Sequence, residues 1–334
     1  LILAPLAIGG LPQRRLSFMD DSAHSRQIRL VAQIRLIGVA YAMTTLSCLL
    51  WLLASSVPPF EALCLSMATV STGGMTIHDG PIDTFVSPAG QVGLIAFMII
   101  GGTSIIWQGM ILRFDRQQLS RHREAYYGMM LILVIGLVIA TSYHASSGRT
   151  SETLLTALRE GVFTAASIVS TTGFHVREES FSVLPVGVLF ALVLVGGGAM
   201  STAGGLKLFR IGILVAQAAR ELSLSLFPHG VDPLIIGGRR WDRDILQGIY
   251  AMVLVFAIVL VGTVAVLSYQ GVPFEPAMIA SISALSNAGP VFGAGPDAGQ
   301  PWPALSSFPT ASLVALSVAM ILGRIELLAL FSVL

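Results

Sequence analysis

The amino-acid sequence predicts an all-α polytopic membrane protein, on two observations. The first is composition: 54% of the 334 residues are hydrophobic and 11% are charged, and the mean hydropathy is +0.81. Soluble domains carry about 25% charged residues, so this chain has too few charges to cover a soluble globule. The second is a threefold pattern of a long apolar segment, a short apolar segment, a hydroxyl-rich turn and another long apolar segment. About 20 apolar residues suffice for a helix to cross a bilayer.

The first copy of the pattern begins at Leu36–Val57, which is long enough to span the membrane. Two prolines end that segment. Glu61–Val70 is too short to cross, and it runs into the turn Ser71–Met75. Ala89–Leu112 is the next predicted span, interrupted by two glycines.

The second copy begins with Tyr126–Tyr143. Gly161–Val169 is its short segment and Ser170–Phe174 is its turn. The following apolar stretch, Val183 to about Ala219, contains five glycines between positions 196 and 205. Glycine weakens a helix by about 1 kcal/mol per residue, so we predict a broken helix here.

The third copy consists of the span Ile245–Tyr269, the short segment Pro276–Leu285, the turn Ser286–Pro290 and the final span Thr310–Leu334. Self-similarity of this kind predicts a repeat architecture. We expect repeat 2 at residues 16–120, repeat 3 at 121–222 and repeat 4 at 223–334. Residues 1–15 would be the end of the inner helix of repeat 1, so we expect the chain to be a fragment that starts and stops within membrane segments.

The arginines predict the topology. Three lie on the side that carries the turns, at positions 149, 159 and 177, and fourteen lie in the segments that join one repeat to the next. The fourteen are Arg14, Arg15, Arg26, Arg29, Arg35, Arg113, Arg116, Arg121, Arg123, Arg210, Arg220, Arg239, Arg240 and Arg243. Basic residues concentrate in cytoplasmic loops, so the joining segments are predicted to be cytoplasmic. The short segments then enter the membrane from the outside.

A short helix that enters the bilayer and turns back needs a wet or protein-lined environment for its irregular backbone. Its carboxyl end carries partial negative charge that favours a cation, and Glu61, Glu160 and Glu275 are expected at the opposite, positive ends. Rings of backbone carbonyls replace the hydration shell of potassium in channels, and glycine permits the backbone angles this requires. Glycine, serine and threonine also serve helix packing. Three matching copies favour the cation pathway.

Two basic residues lie inside apolar stretches. Lys207 is either functional at membrane depth or reaches to the cytoplasmic interface near Arg210. Arg324 is either paired with Glu326 or another helix, or faces the pathway.

The sequence argues against several other classes of protein function. It has no paired carboxylates, metal-ligand spacing or Ser/His arrangement on a common helix face, so we expect no enzyme and no resident cofactor. Basic residues are not interleaved with aromatic ones, which argues against nucleic-acid binding. Cys48 and Cys64 are expected to be free thiols, and His78, His144 and His175 to be surface residues.

Several motifs resemble the TrkH/KtrB superfamily of bacterial potassium-uptake membrane subunits, and the TrkH branch more closely. They are Ala68–Gly74, Ser170–Phe174, Gly196–Lys207 with Arg210, Ser286–Pro290 and Leu322–Glu326. Gly196–Lys207 is the most specific of them. The resemblance implies pseudo-fourfold repeats of an outer helix, a re-entrant pore half-helix with a filter turn, and an inner helix around a central ion pore.

The resemblance also implies roles for individual residues. The selectivity filter, where potassium alone would bind, would consist of Ser71, Thr72, Gly73, Gly74, Ser170, Thr171, Thr172, Gly173, Phe174, Ser286, Asn287, Ala288 and Gly289. The gate would consist of Gly196, Gly197, Gly198, Gly204, Gly205, Lys207 and Arg324. Replacing Gly197, Gly198, Gly204 and Gly205 by alanine is expected to change conductance without changing ion preference.

The family further implies K⁺ as the transported ion, a homodimer, membrane lipid around it and a cytoplasmic nucleotide-binding regulatory ring of the TrkA type. The expected location is the bacterial cytoplasmic (inner) membrane. The basic segments Arg14–Arg35, Arg113–Arg123 and Arg220–Arg243 would either dock the ring or only set the topology. Two alternatives remain open: a sodium or mixed transporter of the same superfamily, since the first filter loop is absent, and an ion-coupled secondary transporter.

Overall fold

The structure is a computed structural model, and it describes residues 23–78, 80–105, 107–108, 123–146, 154–177, 180–181, 183–226, 235–236, 239–240, 243–293 and 302–325. The predicted stub at 1–15 and the chain end after Ile325 lie outside these residues.

The helices are α1 (Ala23–Ala54), α2 (Pro59–Val70), α3 (Pro88–Gly102), α4 (Arg123–Ser146), α5 (Leu154–Val169), α6 (Val186–Val195), α7 (Leu208–Leu226), α8 (Arg243–Tyr269), α9 (Phe274–Leu285), α10 (Pro290–Gly293) and α11 (Thr310–Ile325). Short 3-10 helices cover Ile82–Thr84 and Leu305–Ser307. A small antiparallel ribbon pairs β1 (Ile235–Ile236) with β2 (Arg239–Arg240). The prediction of an all-α fold is confirmed, with this ribbon as a minor addition.

Three helices in the described part of the chain are long and apolar enough to cross a membrane: Ile37–Ala54 in α1, Glu124–His144 in α4 and Leu246–Tyr269 in α8. Each is followed by a shorter helix, α2, α5 or α9, and then by an inner helix. The predicted order of long helix, half-helix, turn and inner helix therefore occurs three times.

Prolines and glycines set the helix ends. Pro59 and Pro88 occupy the first turns of α2 and α3, where a missing amide proton costs nothing because that proton would have no helical partner. The Ser87 hydroxyl caps α3 by accepting from the Gly90 amide at 3.3 Å. At the far end of α6, Gly196 has a φ of +67°, a conformation that glycine adopts without strain.

The repeats interlock. Each outer helix packs against the half-helix of its own repeat: α1 on α2, α4 on α5 and α8 on α9. Inner helices also contact the half-helix of the next repeat, α3 touching α5 and α6 touching α9. The half-helices α5 and α9 are buried over most of their length. This packing buries the second turn completely and the first and third turns in part.

Two predicted boundaries differ from the structure. The short segment of repeat 3 begins at Leu154, not at Gly161, so Glu160 lies in the middle of α5 and not at its positive end. The polar residues before Gly161 suggested a loop, but Glu160 is neutralised by arginine partners and stays helical. The predicted span Ala89–Leu112 is interrupted after Gly102, where Thr103 adopts an extended backbone. Residues 105 and 107–108 are helical again, and the remainder of the segment lies outside the described residues.

Candidate ion pathway

The three turns have the same backbone conformation. Thr72, Thr171 and Asn287 hold left-handed backbone angles, with φ of 51°, 56° and 54°. The offset from the first to the second is 99 residues and from the second to the third is 116 residues, as it is for the serines that precede them. Three repeats therefore place a residue with this unusual conformation at one equivalent point.

Each half-helix ends in the same pair of backbone hydrogen bonds. The left-handed residue donates three residues back, and the residue after it donates five residues back. The second set joins Gly73 N to Ala68 O at 2.8 Å, Thr172 N to Ser167 O at 3.0 Å and Ala288 N to Ser283 O at 2.9 Å. This is the Schellman arrangement, which usually has glycine at the left-handed position. It uses the last helical carbonyls, so the chain leaves the helix at a defined angle.

Threonine at a left-handed position costs about 1–2 kcal/mol. Thr72 and Thr171 are nonetheless fully buried there. Backbone strain of this kind persists where the surrounding structure holds it and is concentrated at functional sites. Gly74 and Gly173 also have positive φ, whereas Gly289 does not. The expectation that glycine is needed for its backbone freedom therefore applies to two of the three turns.

Side-chain hydroxyls brace the turns from inside. Ser167 donates to the Phe174 carbonyl at 2.6 Å, and the equivalent Ser283 donates to the Ala288 carbonyl at 2.8 Å. The Ser170 and Thr172 hydroxyls lie 2.7 Å apart. The position equivalent to Ser167 in repeat 2 is Ala68, so that turn lacks this brace.

The glycine-rich segment between α6 and α7 forms a closed loop, here called the gate loop (residues 196–207). Its two ends are joined by the Leu206 amide to the Leu194 carbonyl and by the Leu208 amide to the Gly197 carbonyl, both at 2.9 Å. Lys207 has a φ of 74° where α7 begins. The predicted break in this inner helix is thus present at residues 196–207.

The gate loop contacts the second and third turns and the end of α2, directly before the first turn. The Thr202 hydroxyl donates to the Val70 carbonyl at 2.9 Å, next to the first turn. The Gly204 amide donates to the Thr171 hydroxyl at 2.7 Å, in the second turn. Gly204 also lies so close to the Ser286 carbonyl of the third turn that a Cβ atom would overlap it. The residues predicted as filter and as gate therefore meet at one place.

Arg324 joins α11 to this meeting point. Its guanidinium donates to the Thr202 carbonyl at 2.7 Å and to the Ser71 carbonyl at 3.0 Å. Arg324 thus contacts the gate loop and the first turn together. Its alternative partner Glu326 lies outside the described residues.

Lys207 is folded into the loop. Its ammonium donates to the Ala203 carbonyl and, at 3.4 Å, to the Ser201 carbonyl. The residue is 5% exposed. The alternative that the Lys207 side chain reaches the cytoplasmic interface is therefore not the conformation adopted.

Glu124 is a gate-loop contact that the sequence analysis missed. One carboxylate oxygen accepts from the Ala199 amide at 2.5 Å, and the carboxylate is within electrostatic range of Lys207 and Arg210. Glu124 lines a cavity between α3, α4 and the loop. In the sequence, Glu124 is a single acidic residue among the arginines of a joining segment, so it resembles a residue at the membrane interface. Its position directly after Arg121, His122 and Arg123 hid its partner.

The gate loop also rests on the end of α3. The Gly198 amide donates to the Gly102 carbonyl at 2.8 Å, and the Thr202 amide donates to the Gly101 carbonyl at 3.3 Å. The last carbonyls of a helix have no partner within it. The loop therefore supplies the donors that the end of α3 would otherwise lack.

Comparisons with known proteins agree with this architecture. A family model described as TrkH, cation transport protein, matches residues 130–333. The chain is 30% identical over 98% of its length to the Trk system potassium uptake protein TrkH of Halomonas elongata, and 26% identical over 87% of its length to the protein of the same name from Escherichia coli K12. The crystal structure of the potassium transporter TrkH from Vibrio parahaemolyticus superposes with a TM-score of 0.79 over the whole chain, at 23% identity.

The chain spans only part of each of these proteins. It covers 66% of the Halomonas relative, 61% of the Escherichia relative and 68% of the Vibrio chain. At 23% identity, the structural likeness shows the fold.

Proposed function

We propose, from the premise that this chain belongs to the TrkH family of cation transport proteins, that it contributes three of four filter turns and the gate to a potassium-uptake pore. The observation that carries the proposal is the convergence of three equivalent half-helix ends on one loop. The relatives are named as potassium uptake proteins. The residue ranges 16–120, 121–222 and 223–334 are proposed as the three repeats.

Selection would depend on the turns. The carboxyl ends of α2, α5 and α9 concentrate partial negative charge where their turns begin. Backbone carbonyls of Ser71–Gly74, Ser170–Phe174 and Ser286–Gly289 would replace part of the hydration shell of K⁺. The repeated Schellman bonds support this role, because they fix where each turn starts. The pore performs no covalent reaction, and K⁺ is its cargo.

Gating would depend on the gate loop. It contacts the second and third turns and the end of α2 before the first turn, so a cation leaving the proposed filter would meet it directly. Lys207 and Arg324 add positive charge within it and beside it, and a buried positive charge raises the energy of a nearby cation. Glycines 196–198, 204 and 205 would allow the loop to change conformation.

We place the pore in the bacterial inner membrane, surrounded by lipid, as a homodimer with a cytoplasmic nucleotide-binding ring of the TrkA type. The basic segments Arg14–Arg35, Arg113–Arg123 and Arg220–Arg243 are the proposed docking sites, and most of their residues lie outside the described part of the chain. The relatives' names refer to a Trk system, which supports a multi-component assembly.

A sodium or mixed pathway of the same family is the second candidate. It is favoured by the third turn, which has Asn287 and Ala288 in place of threonines and lacks a positive φ at Gly289. Coordination of a cation by the third turn would therefore differ from coordination by the first and second turns.

The test is cation uptake by the full-length protein in liposomes, with rubidium and sodium measured separately. Gly173→Ala strains a residue at φ 81° and is expected to lower the rubidium-to-sodium uptake ratio. Gly262→Ala, in α8 with open space around it, is the matched control and should leave the ratio unchanged. Uptake of neither ion by the unmodified protein, or an unchanged ratio in Gly173→Ala, would contradict the proposal.

A further inference from the structure

One pair of positions recurs in two repeats outside the turns and the gate loop. Glu61 in α2 contacts His78, 17 residues later. Glu160 in α5 contacts Arg177, also 17 residues later. The offset between the two acids and between the two bases is 99 residues, the same offset that relates the turns. The pairs are therefore equivalent by repeat symmetry. We call them the outer clasps.

The clasp of repeat 3 is the stronger one. Arg177 Nε lies 3.0 Å from Glu160 Oε2, and its NH2 group lies 3.1 Å from Oε1. Two-point contacts of this kind fix orientation as well as distance. The Glu160 side chain is 6% exposed, and Arg159 approaches the same carboxylate at 3.4 Å. Replacing Arg177 would remove the two-point contact and leave the buried Glu160 carboxylate with the longer contact to Arg159, which is destabilising.

The clasp of repeat 2 is weaker. His78 Nε2 lies 3.1 Å from Glu61 Oε1, with 48% and 24% of the two side chains exposed. This is a single contact in a wetter place, and the imidazole is charged only when protonated. Exposed ion pairs contribute little. Repeat 4 has Gly293 at the position of the base and Pro276 at that of the acid, so its sequence cannot form the pair.

The location of the clasps indicates which parts of the chain they hold together. The acid lies on the half-helix ten residues before the turn's first serine, and the base lies seven residues after it. Each clasp therefore ties together the two chain segments that enter and leave a filter turn. The segment after the second turn is held further, because the Arg177 amide donates to the Ser180 hydroxyl at 2.8 Å and the Tyr143 hydroxyl donates to the Ser180 carbonyl at 3.0 Å.

The two clasped segments also contact each other. The Ile82 amide, four residues after His78, donates to the His175 carbonyl, two residues before Arg177, at 2.9 Å. Ile82 is buried. A change in one clasp is thus passed to the outer segment of the neighbouring repeat.

We propose that Glu160 with Arg177, and less strongly Glu61 with His78, are positioning residues that hold the filter turns in their selective geometry. The filter is consequently braced unequally, most at repeat 3 and least at repeat 4. The effect on selectivity rests on the proposed function, whereas the effect on the order of the turns does not.

The experiment measures two properties of the full-length protein. One is the rubidium-to-sodium uptake ratio in liposomes, and the other is amide hydrogen exchange at residues 171–174 and 72–74. Arg177→Gln is expected to speed exchange at 171–174 by about tenfold, which corresponds to about 1.4 kcal/mol, and to lower the uptake ratio. His78→Gln should do the same at 72–74 to a smaller extent. His144→Gln, an exposed histidine of α4, is the control and should change neither property.

His78→Arg keeps the proposal testable if Arg177→Gln does not fold. It copies the repeat 3 clasp into repeat 2 and should slow exchange at 72–74. Unchanged exchange in both Arg177→Gln and His78→Arg would overturn the proposal, as would altered exchange with an unchanged uptake ratio. If the unmodified protein carries neither ion, the proposed function fails, and the exchange rates alone then decide whether the clasps order the turns.

Discussion

Gly204→Ala is the sharpest test of the contact between gate loop and filter. A Cβ atom at Gly204 would overlap the Ser286 carbonyl, well inside the 3.0 Å limit that real Cβ atoms keep. Overpacking of this kind costs about 1–3 kcal/mol, and losing the hydrogen bond from the Gly204 amide to Thr171 costs about 0.5–1.5 kcal/mol. The closed arrangement should therefore be destabilised by about 2–4 kcal/mol.

The structure indicates which side gives way. The third turn is fixed by its Schellman bonds, and Asn287 donates to the Met320 carbonyl of α11 at 3.2 Å. The gate loop is irregular backbone with five glycines. We therefore expect the loop to move and the turn to stay. Rubidium uptake should rise by at least about tenfold, the factor for 1.4 kcal/mol, while the rubidium-to-sodium ratio stays the same.

Uptake in liposomes and the thermal stability of the purified protein check this prediction. The matched control is Gly187→Ala in α6, whose Cβ would meet open space and which should leave uptake unchanged. An unchanged flux in Gly204→Ala would refute the close contact as a barrier. A lower flux with a changed ion ratio would show that the turn moved, and that the loop is the stiffer of the two.

Three further predictions use the same assays. Arg324→Gln removes a cation and its bond to the Thr202 carbonyl, so leak uptake should rise by about tenfold if the barrier falls by about 1.4 kcal/mol; an unchanged or lower uptake would assign Arg324 a structural role. Glu124→Gln keeps the size of the side chain but weakens its bond to Ala199, so the loop amides should exchange faster with the filter ratio unchanged, and protection equal to that of the unmodified protein would contradict this. Gly161→Ala would press a methyl group against α4, where a Cβ meets backbone. It should lower thermal stability by about 1–3 kcal/mol, whereas Gly212→Ala, with open space around it, should not.

The sequence predicted the architecture well because its signals are local. Apolar length identifies the outer helices, and the Gly/Ser/Thr turns mark the ends of α2, α5 and α9. The left-handed residues could not be read in the same way. Threonine is a poor residue for that conformation, so Thr72 and Thr171 pointed to hydroxyl chemistry and not to helix capping.

The contacts across repeats could not be predicted. Arg324 lies 253 residues from Ser71 and 122 from Thr202 along the chain, and nothing in the local sequence names either carbonyl as its partner. Glu160 is the opposite case. The polar residues around it suggested a loop, but Glu160 is helical and buried and pairs with Arg177, 17 residues later. The role of a charged residue in an apolar protein depends on partners that are distant in the sequence. Hydrophobic periodicity does not identify those partners.

The broken inner helix explains how a cytoplasmic partner could act on the pathway. α7 starts at Leu208, directly after Lys207, and the Leu208 amide is bonded to Gly197 inside the gate loop. The same helix runs for 19 residues to Leu226, at the edge of the basic segment 220–243. A helix transmits displacement along its axis because its hydrogen bonds are continuous. Force applied at the basic segment would therefore reach the loop first, and then the filter turns through the contacts of Thr202, Gly204 and Arg324. Since the first and second turns are also held by the proposed outer clasps, opening of the gate need not disturb selection. Glycine substitutions that stiffen or displace the gate loop should then change the rate of cation transport. Substitutions in the outer clasps should change which ion is transported.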